Sequence, residues 1–469
     1  MLVPGLGAAN PWSAAKSLIP NTALTCSEQA ANFFFIAPYA ARTDPSTEGG
    51  TVQDVANDGF TALGLSYQTG DNYESELTEW LNTDQCLIHR LWPTRTVQNR
   101  RSSDYFGSVG SLVRAANKKK CSQFLVFLGQ KSPTLICEEI VNASDEQMDI
   151  WVSQIEVTVL VAINDPVLNN RIVAWHLGPE ELRHWEPREK ELLQRIYTTV
   201  KKLDPLQRPA WMYNPQNSGV GNLAQMGPWM DALSMGIYPH RSNNDHGRIQ
   251  VRHALKQMTT ANALLGYSVL GFTKRVLPVL EMFEDLDYPY SEADATLIPT
   301  FVRHDAYAAF ANGADGILIL SMGFRQGFSN YSTYYDAWVD VAQQLTVLGL
   351  SDVFQHGQVQ NTAIATVTSG ESEIDFNFNF NFNFNFNFNL FDFDETYPSL
   401  SVREWVFDGK THVLVVNSSE GEVSFQLDNI TPTIYRDIFT QEQHNGVNGV
   451  LRLLLPPLGV VMLKSQSRP

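Results

Sequence analysis

Basic residues, cysteines and long apolar runs are all scarce in this chain of 469 residues. Lys and Arg number 33 against 50 Asp and Glu, a formal net charge of −17. That field repels phosphate backbones and anionic membranes, and argues against nucleic-acid and membrane partners. The short basic run "NKKK" (117–120) reads as a solvated helix end. No apolar run approaches the ~20 residues needed to span a bilayer. The opening "MLVPGLGAANPWSAAKSLIPN" has neither a basic n-region nor a sustained apolar h-region. No signal peptide is therefore expected, which leaves a cytoplasmic chain or a trimmed secreted one.

Four cysteines (Cys26, Cys86, Cys121, Cys137) show no CxxC spacing, so neither a zinc ribbon nor a redox pair is indicated. Buried free thiols are the expectation. There is no HExxH, no HxH on the first strand, no Walker A sequence and no GxSxG elbow. "GLGAAN" (5–10) has no strand before it, as a dinucleotide loop requires. No metal and no cofactor are expected. Asn142, Asn330, Asn417 and Asn429 head N-x-S/T triplets, which are common by chance.

What the chain does have is alternation. Strand-like runs occur at 32–38 ("NFFFIAP"), 60–66, 124–129 ("FLVFLG"), 171–177 ("RIVAWHL"), 209–214, 232–238, 275–283 and 315–322. A further run at 86–93, "CLIHRLWP", competes for a place among them. Amphipathic segments fill the gaps. In 189–203, Leu192, Ile196 and Val200 recur every four residues, and 298–313 ends in a glycine suited to a C-cap. Near-continuous apolar strands alternating with helices imply a parallel sheet buried on both faces. Eight of them over about 300 residues predict an α/β fold of the (β/α)8 TIM-barrel class.

After about residue 352 the pattern changes to short strands without helices, including a hairpin around Asp408-Gly409. The expected layout is an N-terminal arm (1–27), a (β/α)8 barrel (28–350) and a small antiparallel β-sandwich (351–469). Within the last lies the two-residue repeat "FNFNFNFNFNFNFN" (376–389). As one strand it would put Phe on one face and Asn on the other, over about 46 Å. Expansion of a simple repeat explains it. An aromatic surface for sugar rings or self-association is the alternative, and its composition is that of a steric zipper.

Barrel enzymes carry their reacting groups at the C-terminal ends of the strands. Carboxylates gather at two of these ends: Glu180 and Glu181 after the fourth strand, Glu281 and Glu284 at the seventh. Such a pair suits cleavage of a glycosidic bond, with one acid holding a proton for the leaving oxygen and the other ionised. Glu281 is favoured over Glu284 because it shares a strand face with Val279 and Phe283. Glu180 is favoured because Glu181 suits the first turn of the next helix. Trp175, Trp185, Trp211, Tyr213, Tyr238 and Phe283 offer flat faces for sugar rings. Tyr39, Asn214 and His240 complete the candidate substrate contacts. Simple cap and packing roles remain the competing account of all of these.

"WHLGPE" (175–180) resembles the strand-four signature of clan A glycoside hydrolases, a W-x-x-G-N-E type segment, and "PVLEMFE" (278–284) resembles their strand-seven segment. The resemblance implies Glu180 as acid/base, Glu281 as nucleophile and Tyr238 as an aromatic bonded to that nucleophile. It further implies hydrolysis of a β-linked sugar with retention, on a barrel that often carries a terminal sandwich. The chain departs from the pattern at Pro179, where the clan has Asn. It also has "LSMGF" in place of a Trp-ended eighth strand, and only Arg90 or Arg42 to stand for the usual strand-two arginine. Pro179 motivates the alternative of a catalytically weak carbohydrate-binding protein on the same scaffold.

Overall fold

The computed structural model describes residues 26–38, 52–64, 80, 82–83, 85–91, 137–180, 182–216, 218–240, 247–267, 274–282, 290–320, 328–378, 393–431 and 433–466. The predicted strand 124–129, the candidate residues Tyr39, Glu181, Phe283 and Glu284, and positions 379–389 of the repeat lie outside these. The chain forms two compact units.

In the first unit, β2 (Ala62–Gly64), β3 (Cys86–Leu91), β4 (Ile172–Leu177), β5 (Ala210–Asn214) and β6 (Ala232–Ile237) pair in that order, all parallel. The third stave is 86–91, the run that competed for a place. Every residue of β4 is buried, as a strand covered on both faces requires. β7 (Arg275–Val276) joins β6.

The second unit holds β1 (Ile36–Pro38), β9 (Ile317–Leu320) and β8 (Val279–Glu281), again parallel and in that order. Counting β7 and β8 as one stave interrupted at Leu277-Pro278, the described strands make up the eight-stranded, barrel-like parallel sheet that the alternation predicts.

Helices between the strands follow their sequence signals. In α1 (Cys26–Gln29), Cys26 is bridged to Cys86 at the start of β3, across 60 residues. This overturns the expectation of free thiols for Cys26 and Cys86: the pairing depends on two segments meeting in space, which spacing along the chain does not reveal. α2 (Asp145–Asn164) is N-capped by Ser144, whose side chain accepts from the Gln147 amide. α3 (Pro187–Leu203) begins on proline, ends in Lys201 and Lys202, and buries Leu192, Leu193, Ile196 and Val200. α4 (Ile249–Tyr267) follows β6. α5 (Ile298–Ala311) ends at Gly313, whose φ of +108° only glycine adopts without strain. α6 (Tyr331–Val347) follows β9.

From Gln358 onward the second unit is antiparallel. One six-stranded sheet runs β10 (Gln358–Gln360), β14 (Leu400–Phe407), β15 (Lys410–Asn417), β20 (Val460–Ser465), β17 (Ile434–Asp437), β18 (Gln443–Asn445). A three-stranded sheet runs β11 (Ile364–Ser369), β16 (Val423–Asp428), β19 (Leu451–Leu455). Val413 and Val415 of the first share a core with Phe425 and Leu427 of the second, which is the sandwich. Asp408 and Gly409 both have positive φ, as the two-residue turn between β14 and β15 requires.

The repeat starts in β12 (Glu373–Phe378), paired with β13 (Phe393–Pro398). Phe376 is fully buried against Ile249 of α4 and Tyr397, and stacks on His253 at 4.2 Å. The first repeat phenylalanine is thus an anchor.

Candidate active site

Glu180 belongs to the first unit and Glu281 to the second. β4 closes on Gly178 and a cis Pro179, and Glu180 follows, 5% exposed. Its Oε1 lies 3.2 Å from Arg90 Nη2 and 3.4 Å from His176 Nε2, while Arg90 Nε donates to His176 Nδ1 at 3.3 Å. Strand register explains the cluster, since Arg90 on β3 stands directly beside His176 on β4. Burial, then the Arg90 charge, hold His176 well below the usual imidazole range. A neutral ring that accepts at Nδ1 carries its proton on Nε2, the nitrogen that faces Glu180. Arg90, weighed as a substitute for the strand-two arginine, thus lies on the third strand and grips Glu180.

Glu281 ends β8 and is 3% exposed. Its Oε2 accepts the His240 backbone N–H at 3.1 Å, and its Oε1 lies 3.1 Å from the Tyr334 hydroxyl and 3.3 Å from the Tyr290 hydroxyl. The two phenol oxygens are 2.6 Å apart. Arg248 Nη2 reaches Tyr290 OH at 3.4 Å, and the Trp338 indole donates to the Glu281 carbonyl at 3.3 Å. Burial raises the Glu281 carboxyl from the ordinary value of 4.5 to about 7, against the pull of Arg248 and with a push from Asp305. A carboxyl that titrates near neutrality at a barrel strand end is equipped for proton transfer.

Three of the expected substrate contacts need correction or a new role. Trp175 is fully buried, its indole donates to Asp204 at 2.8 Å, and its ring packs against His89 at 5.6 Å. It is core, because strand alternation turns it away from the face that carries His176. Asn214 is fully buried and its amide is consumed within the protein: it donates to the Ser234 carbonyl at 3.0 Å and accepts from Asn222 at 3.4 Å. Asn222 in turn accepts from His184 Nδ1 at 2.9 Å, and His184 meets Trp185 edge-on at 4.9 Å. Asn214 therefore helps fix Trp185, which is 64% exposed and offers an open indole face five residues after Glu180. His240 reaches Glu281 through its backbone, while its ring stacks on Tyr290 at 3.5 Å. Tyr213 and Tyr238 are buried at the ends of β5 and β6, and Trp211 is fully buried in β5.

His176, Arg248, Tyr290, Asp305 and Tyr334 were not singled out in the sequence. Only His176 had a local signal, four residues before Glu180 in "WHLGPE". Among the described residues no group of three or more His, Cys, Asp or Glu side chains is arranged to hold a metal, and no helix is long and apolar enough to cross a membrane.

No protein-family model and no curated protein matches the chain. Solved structures do. The alpha-amylase from Geobacillus thermoleovorans, complexed with acarbose, is 11% identical with a TM-score of 0.51, over 96% of this chain and 100% of that one. The alpha-amylase from H. orenii is 10% identical, TM-score 0.51, covering 92% and 99%. The beta-galactosidase from Bacillus circulans sp. alkalophilus is 9% identical, TM-score 0.50, again covering 92% and 99%. What is shared at this identity is the fold: a (β/α)8 barrel followed by an antiparallel sheet domain.

Proposed function

We propose that a chain with this barrel and these two buried strand-end carboxyls is a glycoside hydrolase, with Glu180 and Glu281 as its reacting groups. The observation that carries the reading is Glu281: a carboxyl at the C-terminal end of the seventh stave, held by two phenols and an amide, titrating at about 7. The fold likeness to solved carbohydrate-cleaving enzymes is in keeping with it. Those structures include alpha- and beta-acting enzymes, so the β-linkage and retention rest on the strand-four and strand-seven resemblance. In that assignment Glu180 protonates the leaving oxygen and Glu281 attacks the anomeric carbon; water then hydrolyses the glycosyl ester with Glu180 as base. Trp185 serves as the platform for a sugar ring.

A second assignment has an observation of its own. Glu281 holds its proton to about 7, while Glu180 is paired with the Arg90 guanidinium, which suits an exchange of the two roles. Glutamine variants separate the two. The variant lacking the acid/base retains turnover on aryl glycosides with good leaving groups, and the variant lacking the nucleophile does not.

The reading as a whole is tested by Glu281→Ala, which under either assignment loses turnover of unactivated oligosaccharides by orders of magnitude while still binding them. Wild-type protein that binds oligosaccharide yet turns over no aryl glycoside is the binding protein of the alternative account.

A further inference from the structure

A buried polar chain within the second unit leads from the C-terminal sheet to Glu281. Ser418, just past β15, has its Oγ 3.0 Å from His304 Nε2 on α5. His304 Nδ1 lies 2.9 Å from Asp305 Oδ1, whose other oxygen accepts from Arg248 Nη1 at 2.7 Å. Arg248 reaches Tyr290, and Tyr290 and Tyr334 bond Glu281. Ser418, His304, Asp305, Arg248 and Glu281 are each less than a tenth exposed. A carboxylate only accepts, so His304 donates from Nδ1; in the neutral ring Nε2 is left to accept the Ser418 hydroxyl proton. The order Ser, His, Asp copies a nucleophilic triad, but Ser418 at 4% exposure offers no approach to a substrate. The chain is built for placement.

We propose that Ser418, His304 and Asp305 form a positioning relay through which the C-terminal sheet holds Arg248 beside the Glu281 cluster, and that Asp305 controls how far the Arg248 charge acts on that carboxyl. Asp305 ties one guanidinium nitrogen away from Glu281 and adds a negative charge of its own. Both effects favour the protonated carboxyl. Among the described residues, the Tyr334 hydroxyl and the His240 amide also bond this carboxyl, and both favour the ionised form. Other bonds join α5 and its C-cap to the C-terminal sheet without leading to Glu281, such as Asn312 Nδ2 to Ser401 Oγ at 3.0 Å. The inference deepens the reading of Glu281 as a reacting carboxyl and rests on it for its functional meaning.

The test is a pH titration of full-length protein carrying 13C-labelled glutamate carboxyls, with Glu281→Gln to assign the signal. Asp305→Asn lowers the Glu281 midpoint by about one pH unit. Ser418→Ala lowers it by less, because His304 then secures Asp305 less firmly, and Asn312→Ala leaves it in place. A midpoint unmoved by Asp305→Asn, or moved equally by Asn312→Ala, overturns the relay. Should Asp305→Asn not fold, Ser418→Ala decides alone, and no movement rejects the proposal. The midpoint is read without substrate, so an inactive protein with a shifted midpoint contradicts the hydrolase reading and leaves the relay standing.

Discussion

The Tyr334 hydroxyl donates to Glu281 Oε1 at 3.1 Å, joining a helix that follows the last stave to the carboxyl that ends the seventh. This bond stabilises the ionised carboxyl. Tyr334→Phe therefore raises the Glu281 midpoint above about 7 and moves the limb of the pH–rate profile that belongs to Glu281 in the alkaline direction. Loss of a hydrogen bond to a charged group also lowers kcat/KM by roughly tenfold or more. A profile of unchanged shape would assign Tyr334 to packing alone.

Glu281 itself makes folding stability depend on pH. Its folded-state value of about 7 stands above the ordinary 4.5, so between these the folded chain binds a proton that the unfolded chain has released. Its contribution is fully present below pH 4.5 and is lost as pH rises through 7, a swing of about 3 kcal/mol. Glu281→Gln removes the swing. Denaturant unfolding should show the variant gaining that amount on wild type between pH 4 and pH 8, while turnover of unactivated oligosaccharides is lost. A variant that is both stabilised and fully active would make Glu281 a structural acid.

Trp185 is held by the Asn214–Asn222–His184 chain with its face open. Trp185→Ala should raise KM for oligosaccharides by roughly tenfold and leave kcat nearly unchanged, because stacking acts on ground and transition states alike. Asn214→Ala should show part of the same effect by loosening the platform. Steady-state kinetics on one substrate decides it.

The Cys26–Cys86 bridge closes a 60-residue loop in the first unit. On chain-entropy grounds its reduction costs roughly 4 kcal/mol. Thermal unfolding with and without reductant should show a lowered Tm, and Cys26→Ser/Cys86→Ser should reproduce it without reductant. Equal Tm values would mean that packing already holds α1 to β3.

The period of apolar residues made the barrel and sandwich legible, because a parallel sheet covered on both faces imposes continuous apolar strands. It could not settle whether "CLIHRLWP" is a stave, since a short apolar run does not declare its partners; the pairing with β2 and β4 does. Glu180 and Glu281 were legible for the same positional reason: both stand at strand ends. Their shells were legible only in part, at Arg90 and His240; Arg248, Tyr290, Asp305 and Tyr334 are spread over almost ninety residues and converge only through the fold. Trp175 was misread because an aromatic in a strand-four signature does not declare which face of the strand it occupies. Trp185, in contrast, is exposed.

The most direct measurement is intact-protein and peptide mass spectrometry after incubation with a panel of 2-deoxy-2-fluoro aryl β-glycosides, which slow the second step of a retaining hydrolase. One fluoroglycosyl unit should be found esterified to Glu281, or to Glu180 if the roles are exchanged, and should be absent from the corresponding glutamine variant. Wild-type protein that acquires no adduct and releases no aryl alcohol from any parent glycoside between pH 5 and 9 would contradict the account.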